Sequence, residues 1–226
     1  MRGAIAIAAV IFAACGDGSD AHPDAAPAAV DATHAFDAAL PGASLGSFQL
    51  TYYWVTAEDD FTGTPDTNLY DTGCSVLDTV PAAFASSLDV EGTGRLADGR
   101  VINVSGACGC ARTPCYEPVD AQHPWGYGVQ GRALVPFRTV AVDSSVIPYG
   151  SGLYIEELDG VAMPGAAPWG DFVHDGCVVA GDTGGGIVGM HVDFFAAEKS
   201  AYVTLDGQLN LTHVTVHAGG ARCASM

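Results

Sequence analysis

The sequence predicts an all-β domain closed into a small barrel. Short runs rich in Val, Ile, Phe and Tyr recur between clusters of Gly, Pro, Asp and Ser, the pattern of strands joined by tight turns. The 226 residues include 29 glycines, enough to serve many such turns. No repeat of fixed period divides the chain, and closure into a barrel is the economical way to hide strand edges within one domain.

In chain order the expected strands are residues 47–56, 101–104, 135–142, 153–158, 173–180, 190–195 and 211–217. The first contains Tyr52-Tyr53-Trp54, a consecutive triplet that must present side chains to both faces. Along 190–195 the alternation sets Met190, Val192 and Phe194 against His191, Asp193 and Phe195. The first set reads as core, and the second places a carboxylate beside aromatic surface, where desolvation raises its pKa. Residues 81–88 and 196–201 read as short helices.

The N-terminus reads as an export signal. Arg2 is followed by an apolar run from Ala4 to Ala14 that is too short for a bilayer anchor. Phe12-Ala13-Ala14-Cys15-Gly16 resembles a bacterial lipoprotein cleavage site, with Phe12 where Leu is usual. Residues 1–14 are thus expected to be a signal peptide and Cys15 the lipidated residue; the alternative is an ordinary secretory signal with a chance cysteine. Residues 15–44 form a linker: positions 17–44 hold ten alanines, three prolines, five aspartates and no Lys or Arg. Such a segment has little to bury and tethers a domain away from its membrane.

Seven cysteines fit the same compartment. Setting Cys15 aside leaves Cys74, Cys108, Cys110, Cys115, Cys177 and Cys223, enough for three disulfides whose pairing is open. The alternative is a zinc site at Cys108, Cys110 and Cys115, but one-residue spacing suits zinc poorly. His174 and His191 show no tight ligand spacing, so no metal and no cofactor is expected. Cys177 near His174 is a poor candidate thiolate, because an exported chain pairs its cysteines.

Residues 45–226 have the size of one domain and carry 21 Asp and Glu against 7 Lys and Arg. That excess argues against nucleic acid, whose phosphates need cations, and against a basic patch docking on anionic lipid. An uncharged or partly cationic polymer remains compatible.

The chemistry concentrates in VVAGDTGGGIVGMHVDFF, residues 178–195. Asp182 follows an apolar run, Asp193 lies inside the next one, and Gly184, Gly185, Gly186 and Gly189 stand between. Glycines permit positive φ and close approach of a ligand. Two acids held this way suggest proton transfer on a polar substrate. Trp54, Trp125, Tyr149 and Trp169 are candidates for stacking on sugar rings, although aromatics in a small barrel more often serve packing. Asp143 before Ser144-Ser145 and Asp182 before Thr183-Gly184 also suit turn-capping roles.

AVDSSVIPYGSGLYI (residues 141–155) followed by AGDTGGGIVGMHVDFF (residues 180–195) resembles the 3D domain, named for three aspartates, which here are Asp143, Asp182 and Asp193. The resemblance is close over 131–195 and continues weakly to Val216. It implies a six-stranded double-psi β-barrel, here with short helices and disulfide-stapled loops. It also implies lytic transglycosylation of peptidoglycan between N-acetylmuramic acid and N-acetylglucosamine, giving a 1,6-anhydromuramoyl end. By motif position Asp193 is the general acid and then base, with Asp182 and Asp143 supporting it. Gly184, Gly185, Gly186, Tyr149, Trp169 and Trp125 would meet the glycan. The expected partner is the peptidoglycan strand, met by a monomer held at the membrane by its lipid alone, facing the periplasm or cell surface, an outer membrane included. Only about 85 residues (45–131) precede the close match, which resembles the compact, barrel-only members. The rival classes are a barrel that binds or loosens glycan without cleaving it, and a hydrolase using water with Asp182 as base.

Overall fold

The structure is a computed structural model that describes residues 40–226. The signal peptide, Cys15 and the linker as far as residue 39 lie outside the described residues. The chain is mostly β. It runs through β1 (Ser44–Tyr53), β2 (Thr56–Ala57), β3 (Pro65–Tyr70), β4 (Val76–Pro81), α1 (Ala82–Glu91), β5 (Thr93–Arg95), β6 (Val101–Gly106) and β7 (Cys115–Pro118). It continues through β8 (Thr139–Val142), β9 (Gly152–Ile155), β10 (Ala162–Met163), β11 (Phe172–Val173), β12 (Cys177–Asp182), β13 (His191–Phe195), α2 (Lys199–Leu209) and β14 (His213–Ala218).

Six strands close a ring in the order β1-β13-β8-β12-β9-β14. Two neighbouring pairs are parallel, β1 with β13 and β8 with β12, and the rest are antiparallel. Alternation fills the ring. Phe48 and Leu50 of β1, Val140 and Val142 of β8, Val178 and Ala180 of β12, and Val192 and Phe194 of β13 are buried in one core. The opposite faces of the same strands are then left for other work. α2 covers one side through Ala201 and Leu205, with Tyr202 stacked on Trp54 at 4.8 Å between ring centroids.

Residues 45–226 are not all barrel. Between β1 and β8 the chain builds a second lobe: a four-stranded sheet β2-β5-β6-β7, the hairpin β3-β4 and α1. It has its own core, including Leu69, Val80, Phe84, Leu88, Ile102 and Tyr116. This corrects the barrel-only expectation, because the residues before the close match hold one barrel strand and a separately packed lobe. The returning segment is wedged between the two. A Cβ on Gly128 would lie 2.3 Å from the Gly181 carbonyl oxygen, so only glycine fits there. Tyr127 donates its backbone N–H to Asn103 Oδ1 at 2.9 Å, which anchors the segment to the lobe.

Several expected elements are shorter or displaced, each for a local backbone reason. The run 135–142 is strand only from Thr139, because Phe137 sits at φ 58°. The run 173–180 breaks at Gly176, φ 80°, where the strand turns from β11 into β12. Residues 156–158 of the run 153–158 form a 3-10 turn. The helix expected at 196–201 starts at Lys199, since Ala197 lies at φ 65° and cannot propagate a right-handed helix. Met190, expected in the core, is half exposed and precedes β13. His174 is a buried brace: its Nδ1 accepts the Gly176 N–H at 2.9 Å and its Nε2–H meets the Phe137 carbonyl at 2.7 Å. Burial pushes its pKa down to about 4, so it stays neutral.

The six cysteines of the described region form Cys74–Cys110, Cys108–Cys115 and Cys177–Cys223. The close sulfurs of Cys108, Cys110 and Cys115 are two crosslinks meeting, and neither they nor Cys177 remain free thiols. Cys177–Cys223 joins β12 to the turn after β14 across 46 residues. We expect the double variant Cys177→Ala/Cys223→Ala to unfold at lower denaturant, with a loss of about 2–5 kcal/mol. Chemical denaturation followed by far-UV circular dichroism measures it, and an unchanged midpoint contradicts it.

Candidate active site

The outward face of the ring beside the second lobe carries the acids. Ala141 of β8 is the register partner of Asp182 on one side and of Asp193 on the other. The two aspartates therefore flank one small side chain, with backbones two strand spacings apart, roughly 10 Å. A cleft of about 490 Å³ opens over this row. Ala141, Tyr53, Asp182 and Asp193 line it from the barrel; Glu91, Thr93 and Asn103 line it from the second lobe; Tyr127 and Gly128 come from the joining segment.

Each acid is held by a neighbour on β1. Thr51, in register with Asp193, donates its hydroxyl to Asp193 Oδ1 at 2.6 Å. The same hydroxyl lies 2.8 Å from His191 Nε2. Thr51 has one proton and spends it on Asp193, so His191 donates to Thr51. Tyr53 donates its hydroxyl to Asp182 Oδ2 at 2.8 Å, and Thr183 donates its N–H to Asp182 Oδ1 at 2.8 Å. In the sequence Tyr53 stands out only as part of an aromatic triplet, and Thr51 not at all. Their signal was the alternation of β1, in which Gln49, Thr51 and Tyr53 face away from Phe48 and Leu50.

Desolvation dominates the electrostatics. Burial lifts Asp182 to about 6, with the Asp193 charge adding to the rise and the Thr183 and Tyr53 hydrogen bonds opposing it. Burial also raises Asp193, against the Thr51 hydrogen bond and the nearby His191. Burial and then Asp182 push Tyr53 well above its ordinary value, so it remains a donor. Two carboxyls that resist ionisation on one row suit proton transfer near neutral pH.

A third carboxyl lies across the cleft. Glu91 ends α1 and accepts the Trp54 N–H at 3.1 Å. Burial raises it to about 7, and the Asp193 charge contributes to the rise. Nothing in SLDVEG marks this glutamate as more than a helix-end residue; only the docking of the lobe turns it toward the barrel acids.

The remaining sequence candidates divide. Gly184 and Gly185 line the cleft, and a Cβ on Gly185 or Gly186 would meet nothing. Of the four glycines only Gly189 takes positive φ, at 66°, so the turn serves openness more than backbone strain. Asp143 lies outside the cleft lining. Its Oδ1 accepts the Ser145 hydroxyl at 2.7 Å and the Ser145 N–H at 2.9 Å, and its Oδ2 accepts the Gly189 N–H at 2.7 Å. The Ser145 hydroxyl first, then the Gly189 and Ser145 amides, hold it below the usual carboxylate range. It ties the turn after β8 to the turn before β13. Trp125 and Trp169 meet edge to face at 6.2 Å around a separate cavity of about 460 Å³, away from Asp182 and Asp193. Tyr149 packs against the barrel core, and Trp54 stacks on Tyr202. These four aromatics are therefore not gathered at the acids.

Residues 138–217 match the family described as the 3D domain. No curated protein sequence matches the chain. Among solved structures, MltA of E. coli with bound chitohexaose is similar at 16% identity and a TM-score of 0.52, over 76% of this chain and 71% of that one. A membrane-bound lytic murein transglycosylase from Agrobacterium tumefaciens aligns at 12% identity and a TM-score of 0.48, over 78% of this chain and 74% of that one. At such identity the E. coli likeness speaks to fold alone, and it spans residues well beyond the 3D match. The chain therefore carries a 3D domain at residues 138–217, set within a fold that resembles MltA.

Proposed function

We propose that the protein is a peptidoglycan lytic transglycosylase with Asp193 as its general acid and base. The observation that carries this reading is the setting of Asp193. It is desolvated, is pinned through Oδ1 by Thr51, and stands opposite Asp182 across Ala141 in an open cleft. Engagement of Oδ1 makes Oδ2 the reacting oxygen. Protonated Asp193 gives its proton to the oxygen between N-acetylmuramic acid C1 and N-acetylglucosamine C4, and the C1–O bond breaks. The C6 hydroxyl oxygen of the same muramoyl residue then bonds to C1, and its proton returns to Asp193. Atoms and charge balance without water. Asp182, across Ala141 from Asp193 and ionised above about pH 6, supplies negative charge to the oxocarbenium-like state. Asp143 supports the site by holding the turn before β13.

The substrate class follows from chemistry and fold together. A strongly acidic protein suits an uncharged or partly cationic polymer, and the MltA structure of similar fold holds chitohexaose, a chito-oligosaccharide. The two parallel pairs within a closed six-strand ring are consistent with a double-psi barrel. Under this reading the protein acts as an exported monomer tethered through lipidated Cys15 to a bacterial membrane, facing the wall.

Purified protein is expected to release 1,6-anhydromuropeptides from peptidoglycan sacculi, read by mass spectrometry. Products with free reducing ends would point to hydrolysis by water, and glycan binding without products would make the barrel a non-catalytic binder. Asp193→Asn should lower release at least ~10²-fold while leaving the circular dichroism spectrum intact; retained activity removes Asp193 from this role. Tyr53→Phe deletes the hydrogen bond that favours ionised Asp182, so the acid-side inflection of the pH–rate profile should move upward from about 6. An inflection that stays in place excludes Asp182 as the group governing that limb.

A further inference from the structure

Glu91 is a cleft carboxyl that the scheme above does not use. It lies on the second lobe, facing barrel acids that sequence places about a hundred residues away. It is the last residue of α1, at the helix end where carbonyl dipoles concentrate negative potential and disfavour an anion. Among the described residues its one hydrogen bond comes from the Trp54 N–H to Oε2. Oε1 makes none among the described residues, in a group that lines the cleft.

We propose that Glu91 works as a neutral carboxylic acid, donating a hydrogen bond to an acceptor oxygen of the bound glycan, a hydroxyl or an acetamido carbonyl, beside Asp193. The second lobe is then a donor wall that reads the sugar. This rests on the glycan reading of the cleft but not on its catalytic step.

The charged and titratable surroundings agree. Asp193 of β13 faces Glu91 and adds like charge, while Lys199 at the start of α2 opposes it. Asp182 of β12, Tyr53 of β1, Tyr127 of the joining segment and Asp89 of α1 share the cleft. Asp89 is already paired with Arg112 at 2.6 Å. With burial the largest influence, Glu91 holds its proton to about pH 7. A neutral acid donates, whereas an ionised one only accepts and repels sugar oxygens. Binding should therefore weaken as pH rises through neutrality.

Chitohexaose binding to the full protein, measured by calorimetry between pH 5.5 and 8.5, tests this. Wild-type affinity should fall by about tenfold across the range, the cost of one charge-dependent hydrogen bond. Glu91→Gln keeps both a donor and an acceptor, so its affinity should stay near the wild-type low-pH value throughout. Glu91→Ala should bind weakly at every pH. A Glu91→Gln profile that follows the wild-type slope overturns the proposal, as does absence of chitohexaose binding at pH 5.5. Binding with the expected pH pattern but no anhydro products would sink the transglycosylase reading and leave this one standing. A carbon-13 titration of the Glu91 carboxyl provides a readout independent of ligand, and ionisation complete by pH 5 also overturns it.

Discussion

The site depends on one constraint: two carboxyl groups are partly withdrawn from water on the outer face of a closed strand ring. Closure sets the positions. β8 lies between β12 and β13, so Ala141 is the register partner of both Asp182 and Asp193. A methyl side chain at that point leaves room above it and cannot hydrogen-bond either acid. Charging a desolvated carboxyl is costly unless donors surround it. Here each acid receives enough donors to be placed but not enough to be made strongly acidic. Placement thus comes from these few contacts, and proton retention from burial working against them.

The second lobe makes that face a cleft. Without it, Asp182 and Asp193 would stand on an open barrel wall with less desolvation. The lobe leaves the barrel at the end of β1, immediately after Tyr53 and Trp54. One of these donates to Asp182 through its side chain and the other to Glu91 through its backbone. The return segment is pressed against β12 at Gly128 and held by Asn103 at Tyr127. The entry and exit of the lobe are therefore both built into the acid site, so a shift of the lobe is felt by the carboxyls.

The roles of the three aspartates separate on physical grounds. Asp182 and Asp193 are desolvated and face the cleft, whereas Asp143 lies outside it, well supplied with donors and readily ionised. An acid of the latter kind stabilises a turn and has little reason to keep a proton. Its bond to Gly189 spans the turn that leads into β13, so its structural work sets where Asp193 begins its strand.

Much of this was legible in local pattern. The alternation of β13, the apolar run of β12 and the spacing of Asp182 and Asp193 are one-dimensional signals, and they survive because strand period and burial are local properties. The cysteine count implied three crosslinks for the same reason: it needs composition, not geometry. Strand ends were less legible, because positive φ at Phe137 and Ala197 is imposed by packing on residues that do not ask for it. The pairing of cysteines, the grouping of Trp125 with Trp169 away from the acids, and the convergence of Thr51, Tyr53 and Glu91 on the cleft were decided only by the tertiary fold. These depend on which strands become neighbours when the ring closes, and contacts between residues some 40 to 140 positions apart leave no periodic trace in the chain.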